Sequence, residues 1–218
     1  MNNKKTSKTK STRIQEQNRQ RILEASLTVF SRYGFRGTRI DQIAEVSGMS
    51  RSNLLYYFKR KEDIYRAVLN EILAEWLEPL RAISADGDPR IEIGAYIRAK
   101  CKMASSAPEA SRLFANEILQ GAPMINDILT GPLKTLVDEK AKVLQNWMDK
   151  GQIRRMSPHH LIFAIWATTQ HYSDFDHQIK AILGKSIIDE EFGSEAAQSV
   201  EDLLLHGMLP RHPEPNID

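Results

Sequence analysis

Arg51, Ser52 and Asn53 stand side by side at the start of a short helical segment. An arginine fork can bridge guanine O6 and N7, and an asparagine amide can bridge adenine N6 and N7. On the first turn of a narrow helix such groups can reach base edges in a major groove. Ser50, Tyr56 and Tyr57 add hydroxyls around them, and Lys61 adds a cation where the next helix begins, all suited to phosphate. Thr38 and Arg39 offer a hydroxyl and a guanidinium just before the preceding helix. A second pair lies far along the chain. Trp166 and Gln170 are spaced i, i+4 and so share a helix face. The amide carries both a donor and an acceptor, and an indole can wall a flat heterocycle. A planar ring edged with N–H and C=O groups would complement them. Equally, Gln170 could bond a backbone group or a second subunit, and Trp166 could be core, because buried polar groups are usually satisfied internally. Trp76 and Phe114 are candidate walls on neighbouring helices, or ordinary core residues.

The elements that must hold these groups are helical throughout, with no convincing period-2 strand. Ile22, Leu23, Ser26, Leu27, Phe30 and Tyr33 recur at helical spacing, and Gly34 is placed to end that helix. Thr38 and Asp41 read as a capping box for a short helix with Ile40, Ile43 and Ala44 inward. Gly48 breaks it, and Ser50 can cap a third helix that carries Leu54, Leu55 and Phe58. Lys61-Glu62-Asp63 opens a longer one. Three short helices with a glycine turn between the second and third fit a helix-turn-helix. Further helices are predicted from Asp88-Pro89, from Pro108 to Gly121, over 132–150, from Ser157-Pro158 to Gly184 and over 194–209. The segment from Leu161 to Thr169 is the most apolar and therefore central.

Charge is divided along the chain. Residues 1–66 hold 15 of the 30 Lys and Arg but 6 of the 28 Asp and Glu, although the whole carries a formal net charge of only +2. That asymmetry suggests a basic module that meets a polyanion and an acidic one that does not. The reading divides the 218 residues into a disordered basic arm over 1–15, a helix-turn-helix domain over 16–76 and a larger domain over 77–218. No apolar run approaches a membrane span, no apolar leader opens the chain, and the single cysteine, Cys101, excludes an intramolecular disulfide. A cytoplasmic protein is expected.

Phe35 to Ala44, Gly48-Met49-Ser50 and Leu54 to Glu62 closely resemble the signature of the TetR family of repressors, over about residues 16–76. The likeness implies an all-α dimer with N-terminal DNA-binding modules and a larger C-terminal domain for ligand binding and dimerisation. By position, Arg51, Ser52 and Asn53 would face bases, and Thr38, Arg39, Tyr56, Tyr57 and Lys61 would contact the DNA backbone. Many members have tyrosine where Leu55 stands and histidine where Tyr57 stands, so one phosphate contact is lost or moved. Ala110 to Phe114, Gly121-Ala122-Pro123, Leu133-Lys134 with Asp138 to Lys140, and above all His160 to Tyr172 resemble a pyrimidine-responsive branch of this family. That resemblance implies a palindromic double-stranded operator, control of pyrimidine-degradation genes and release by uracil or thymine. No cofactor is implied. A TetR-type repressor answering an unrelated small molecule is the alternative.

Two other classes compete with this reading. His171, Asp174, Asp176 and His177 cluster as in an enzyme's metal or acid–base site, but their spacing fits no metal motif. A constitutive architectural DNA binder would not need so large a C-terminal domain. For assembly, helices near 158–183 and 194–209 are expected to pair with their copies through Phe163, Ile165, Leu203 and Leu204. That pairing would set two reading helices about one DNA turn apart, roughly 34–36 Å.

Overall fold

In a computed structural model of the chain, the backbone is described for residues 3–209 and the side chains for residues 13–209. The helices are α1 (Asn3–Gly37), α2 (Ile40–Ser47), α3 (Arg51–Tyr57), α4 (Lys61–Ala82), α5 (Pro89–Ser106), α6 (Pro108–Leu119), the single turn α7 (Asn126–Ile128), α8 (Lys134–Asp149), α9 (Pro158–Asp174), α10 (Asp176–Leu183) and α11 (Glu190–Met208). No strand occurs among the described residues, so the fold is all-α. None of the described helices is long and apolar enough to cross a membrane. The basic run over residues 4–10 and the Pro-rich end after residue 209 lie outside the described side chains.

Two compact units divide the chain. The first comprises residues 1–73 and 112–125, the second residues 74–111 and 126–218. The helices α4 and α6 each run from one unit into the other.

In the first unit α1 buries Ile22, Leu23, Val29 and Phe30, α2 buries Ile43 and Ala44, and α3 buries Leu54. Phe30 meets Tyr65 edge-on, with ring centroids 4.9 Å apart. Tyr33, expected on the same face, is 45% exposed, with the Arg32 guanidinium 5.3 Å from its ring centroid. Helical backbone begins at Asn3, so most of the segment expected as a disordered arm continues α1. No Gly or Pro interrupts it before Gly34, and lysine, arginine and glutamine favour helix. At Gly34 the backbone turns to φ 68°, ψ 172°, a conformation costly for any residue with a Cβ. The chain then enters α2 differently from the expected capping box. Arg39 is the N-cap, and its N–H donates to the Gln42 side chain at 2.8 Å. Thr38 is buried, and its hydroxyl donates back to the Gly34 carbonyl at 2.8 Å. The threonine therefore locks the turn rather than capping the helix. Gly48 ends α2 at φ 65°, and Ser50 caps α3 by accepting the Asn53 N–H at 3.2 Å.

Residues 112–125 complete this unit. Glu117, only 2% exposed, accepts the Met124 N–H at 2.7 Å and bonds the Tyr65 phenol of α4. Burial, then this carboxylate, pushes the phenol above its ordinary range. Arg66, the next residue on α4, donates to the Met124 carbonyl at 2.9 Å.

In the second unit α9 lies against α5, α8, α10 and α11, and α5 packs also on α11. Its central position follows from its apolar sequence. Lys140 of α8 donates to the carbonyls of Arg81 and Ile83 at 2.7 and 2.8 Å, satisfying acceptors that the end of α4 leaves open. Three boundaries differ from expectation. The helix from Pro158 stops at Asp174 and restarts at Asp176 after the cap residue Phe175. The last helix starts at Glu190 rather than near 194. A π-helical turn, Leu129–Leu133, precedes α8, where Pro132 cannot supply the N–H of a regular helix. Phe163 and Leu203 are 51% and 68% exposed, whereas Ile165 is buried within its own chain and Leu204 is half-buried. Ile165 lies on the face of α9 turned to the interior, so the assignment of Ile165 to a subunit interface is corrected.

Candidate nucleic-acid interface and ligand site

The turn from Gly48 to Ser50 sets α3 against α2, and Arg51, Ser52, Asn53 and Tyr56 all stand exposed on α3. Arg39 is exposed at the head of α2. Arg51 is not a free cation. Its Nη1 donates to both carboxylate oxygens of Asp41, at 3.0 and 2.8 Å. The pair is well exposed on both sides, so it holds the arginine's direction more than it stabilises the fold. The Ser50 hydroxyl lies 3.1 Å from that of Ser52 besides capping α3. The Tyr57 hydroxyl accepts from the Asn18 amide of α1 at 3.0 Å, which leaves its own proton for an external acceptor.

Two residues read as backbone contacts face inward. Thr38 is buried, with its hydroxyl spent on the Gly34 carbonyl. Lys61 donates to the carbonyls of Phe35 and Thr38 at 2.7 and 2.8 Å, and lies 4.5 Å from the Phe35 ring centroid. The turn between α1 and α2 presents those carbonyls toward the start of α4, and a buried carbonyl outcompetes water for a nearby ammonium. Lys61→Met is accordingly expected to lower unfolding free energy by about 1–2 kcal/mol and to weaken operator and random DNA together. Urea unfolding would check this. Unchanged stability with a flattened salt dependence of DNA binding would instead make Lys61 a phosphate ligand.

Trp76, Trp166 and Gln170 belong to the second unit and Phe114 to the first. Trp76 is 6% exposed, and Trp166 and Gln170 are half-buried. The Trp166 indole N–H donates to the Tyr96 hydroxyl at 2.5 Å. Burial pushes that phenol above its ordinary range. Two turns along α9 from Trp166, Asp174 accepts the hydroxyl of Ser111. Between them the Gln170 side-chain amide makes no hydrogen bond to a described residue; only its main-chain carbonyl is used, by Ser173. One face of α9 thus carries a fixed indole, an open amide and a fixed carboxylate. Opposite, α5 presents Tyr96 and, one turn on, Lys100, whose ammonium lies 4.5 Å from the Trp76 ring centroid.

Tyr96, Lys100, Ser111 and Asp174 were not singled out as ligand-site residues in the sequence, though a signal existed. Ile93, Tyr96, Ile97, Cys101 and Ala104 mark the buried face of α5, and Lys100 falls on the same period. Asp174 continues the spacing of Trp166 and Gln170. The neighbouring His171, Asp176 and His177 do other work or none that is local. His171 stacks on Phe175, and Asp176 accepts from Ser186, Ile187 and Lys180. Among the described residues no three His, Cys, Asp or Glu side chains gather as a metal would require. A separate groove of about 410 Å³ borders α5 and α11, lined by Arg98, Cys101, Ser105, Ile187 and Gly193 among others. None of the four expected ligand residues lines it.

Residues 22–68 match the family described as bacterial regulatory proteins, tetR family, and residues 69–211 match that described as YcdC-like protein, C-terminal region. The HTH-type transcriptional regulator RutR of Escherichia coli (strain K12) is 47% identical over 190 residues, spanning 87% of this chain and 90% of that protein. The chain belongs to the TetR family. Among solved structures it is similar to the ketosteroid transcriptional regulator KstR2 of Mycobacterium tuberculosis, with a TM-score of 0.67 at 17% identity over 88% of this chain and 95% of that one. It is also similar to the transcriptional regulator FadR of Bacillus subtilis in complex with stearoyl-CoA, with a TM-score of 0.65 at 19% identity over 86% and 98%. At these identities the two structures establish a shared fold alone. As a TetR-family member the chain is a ligand-responsive, DNA-binding transcriptional regulator that acts as a dimer, and not an enzyme.

Proposed function

We propose that this regulator represses genes of pyrimidine degradation in the cytoplasm and leaves its palindromic operator when uracil or thymine binds. The observation that carries the reading is the α9 face. Trp166 is held by Tyr96 and Asp174 by Ser111, while the Gln170 amide between them is open. An amide needs both an acceptor and a donor opposite it, and a pyrimidinedione edge supplies both beside an indole wall. Trp76 would form a second wall. Phe114 is kept as a candidate only through the family likeness. On the DNA side Arg51, Ser52 and Asn53 would read base edges, and Arg39, Tyr56 and Tyr57 would bond phosphate. Ser50, Thr38 and Lys61 would hold the geometry from behind.

Release requires that the pyrimidine prefer the conformation that does not fit DNA. DNA must then weaken pyrimidine binding by the factor by which pyrimidine weakens DNA binding. The test is a band-shift titration of operator complexes with uracil and with thymine. Wild type should be released. Gln170→Leu, similar in size, should keep its operator affinity and lose the response, because the ring edge loses a partner worth about 1 kcal/mol or more. Equal release of both proteins would remove Gln170 from the site. No release of wild type by either base would overturn the pyrimidine reading.

A further inference from the structure

Lys100 is the only lysine or arginine buried among the described residues, at 5% exposure. Other buried polar groups of the second unit have close partners. Ser111 bonds Asp174, Thr169 bonds the Ile165 carbonyl, and Asp176 holds Ser186, Ile187 and Lys180. The Lys100 ammonium has three donors and no hydrogen-bond acceptor among the described residues. What it has is the face of Trp76 at 4.5 Å and Asp174 acting from a longer distance, while burial pushes its pKa down to about 8. Every fully buried side-chain nitrogen or oxygen among the described residues has a hydrogen-bond partner, so the Lys100 ammonium keeps an accessible edge within an otherwise buried residue. An ammonium held there without a protein acceptor is costly, and a fold that only needed to fill this space would place an apolar side chain there. The group sits on α5 one turn from Tyr96, whose hydroxyl holds Trp166, and α5 packs on the α9 face that carries Gln170.

We infer that Lys100 is a further ligand-binding residue, which donates to a carbonyl oxygen of the effector while Gln170 pairs with the adjoining ring edge. The inference rests on the pyrimidine reading, and it names the group that completes the site. A pyrimidinedione carries two carbonyls separated by an N–H, so one oxygen can face an ammonium while the neighbouring N–H and C=O meet an amide. Lys100 with Asp174 brings the surroundings close to neutral, which suits an uncharged ring over an anion. The Trp76 ring face meets the same ammonium at 4.5 Å.

The experiment is calorimetric titration of the full-length protein with uracil, for wild type, Lys100→Met and Lys100→Gln. Both variants should bind uracil about 10- to 100-fold more weakly, as for loss of a charge-assisted hydrogen bond. Their operator affinity without uracil should stay within about twofold of wild type. Uracil affinity unchanged in both would overturn the inference and leave Lys100 a structural residue on Trp76. Failure of wild type itself to bind uracil would overturn the pyrimidine reading and this inference with it. A measurement on wild type alone guards against variants that fold poorly. At least one of 2-thiouracil and 4-thiouracil, in which sulfur replaces a carbonyl oxygen, should bind several-fold more weakly than uracil. Equal binding of all three would count against a donated hydrogen bond to either carbonyl.

Discussion

Arg51→Ala is expected to weaken binding to the preferred operator by about 2–6 kcal/mol, from roughly 1–3 kcal/mol at each of two half-sites of a dimer. Binding to random DNA should fall far less. Arg51 is exposed at the first position of α3, directly after the Ser50 cap. Only one of its terminal nitrogens is engaged, by Asp41. The remaining donors are available to a guanine edge, and the carboxylate limits how the guanidinium can turn. Asp41→Asn should therefore act in the opposite sense on random DNA. It removes an anion from a DNA-facing surface and frees the arginine to reach any phosphate. Non-specific affinity should rise, and the ratio of operator to random binding should shrink. Fluorescence anisotropy with operator and scrambled duplexes at several salt concentrations measures both effects. Equal losses on the two duplexes in Arg51→Ala would mean that the arginine reads no base.

Lys100→Met should make the unliganded protein more stable at pH 7, by about 3 kcal/mol. Burial lowers the Lys100 pKa from 10.5 to about 8, so the folded state resists the charge that the unfolded chain carries freely. Each pKa unit of that difference is about 1.4 kcal/mol. The pH dependence has a definite sign. Between about pH 8 and pH 10.5 the unfolded chain binds the proton and the folded one does not, so wild-type stability rises with pH across that window. Methionine has no such transition. The advantage of the variant should be full below about pH 8 and fade toward pH 10.5. Urea unfolding at fixed protein concentration, at pH 7 and pH 10, would show it. A variant no more stable than wild type at pH 7 would mean that the ammonium is well compensated in the folded state. Paired with weaker uracil binding, a gain in stability marks a residue kept for its ligand, since stability and function commonly oppose each other at binding sites.

Much of the fold was legible because local rules governed it. Gly34, Gly48 and Ser50 mark turns and caps that the backbone uses as expected. The apolar stretch from Leu161 to Thr169 is the helix on which four others pack. Where sequence reasoning failed, a longer-range partner decided. Thr38 has the right type for an N-cap, but the Gly34 carbonyl takes its hydroxyl and Gln42 caps Arg39 instead. Lys61 has the right type for a phosphate ligand, but two carbonyls 23 and 26 residues away claim it. Helix period shows which residues share a face and not which face of another helix they meet. For that reason Trp166 and Gln170 could be paired from spacing, while Tyr96, Lys100 and Ser111 needed the packing of α5 and α6 to be recognised.

The first unit is discontinuous in the chain, and this bears on building hybrid regulators. Sensor domains are most simply exchanged by splicing two genes at one point, here near residue 76 where the helix-turn-helix domain was expected to end. Such a splice would carry Tyr65 and Arg66 into the hybrid and leave Glu117 and Met124 behind. The phenol would then lie against whatever the donor offers at that place, and the guanidinium would lose its carbonyl. A graft that also transplants residues 112–125 keeps both partners. The portable cassette of this regulator is therefore two segments, and a library that shuffles only its N-terminal third would be selecting for repair of that seam before it selected for a new effector.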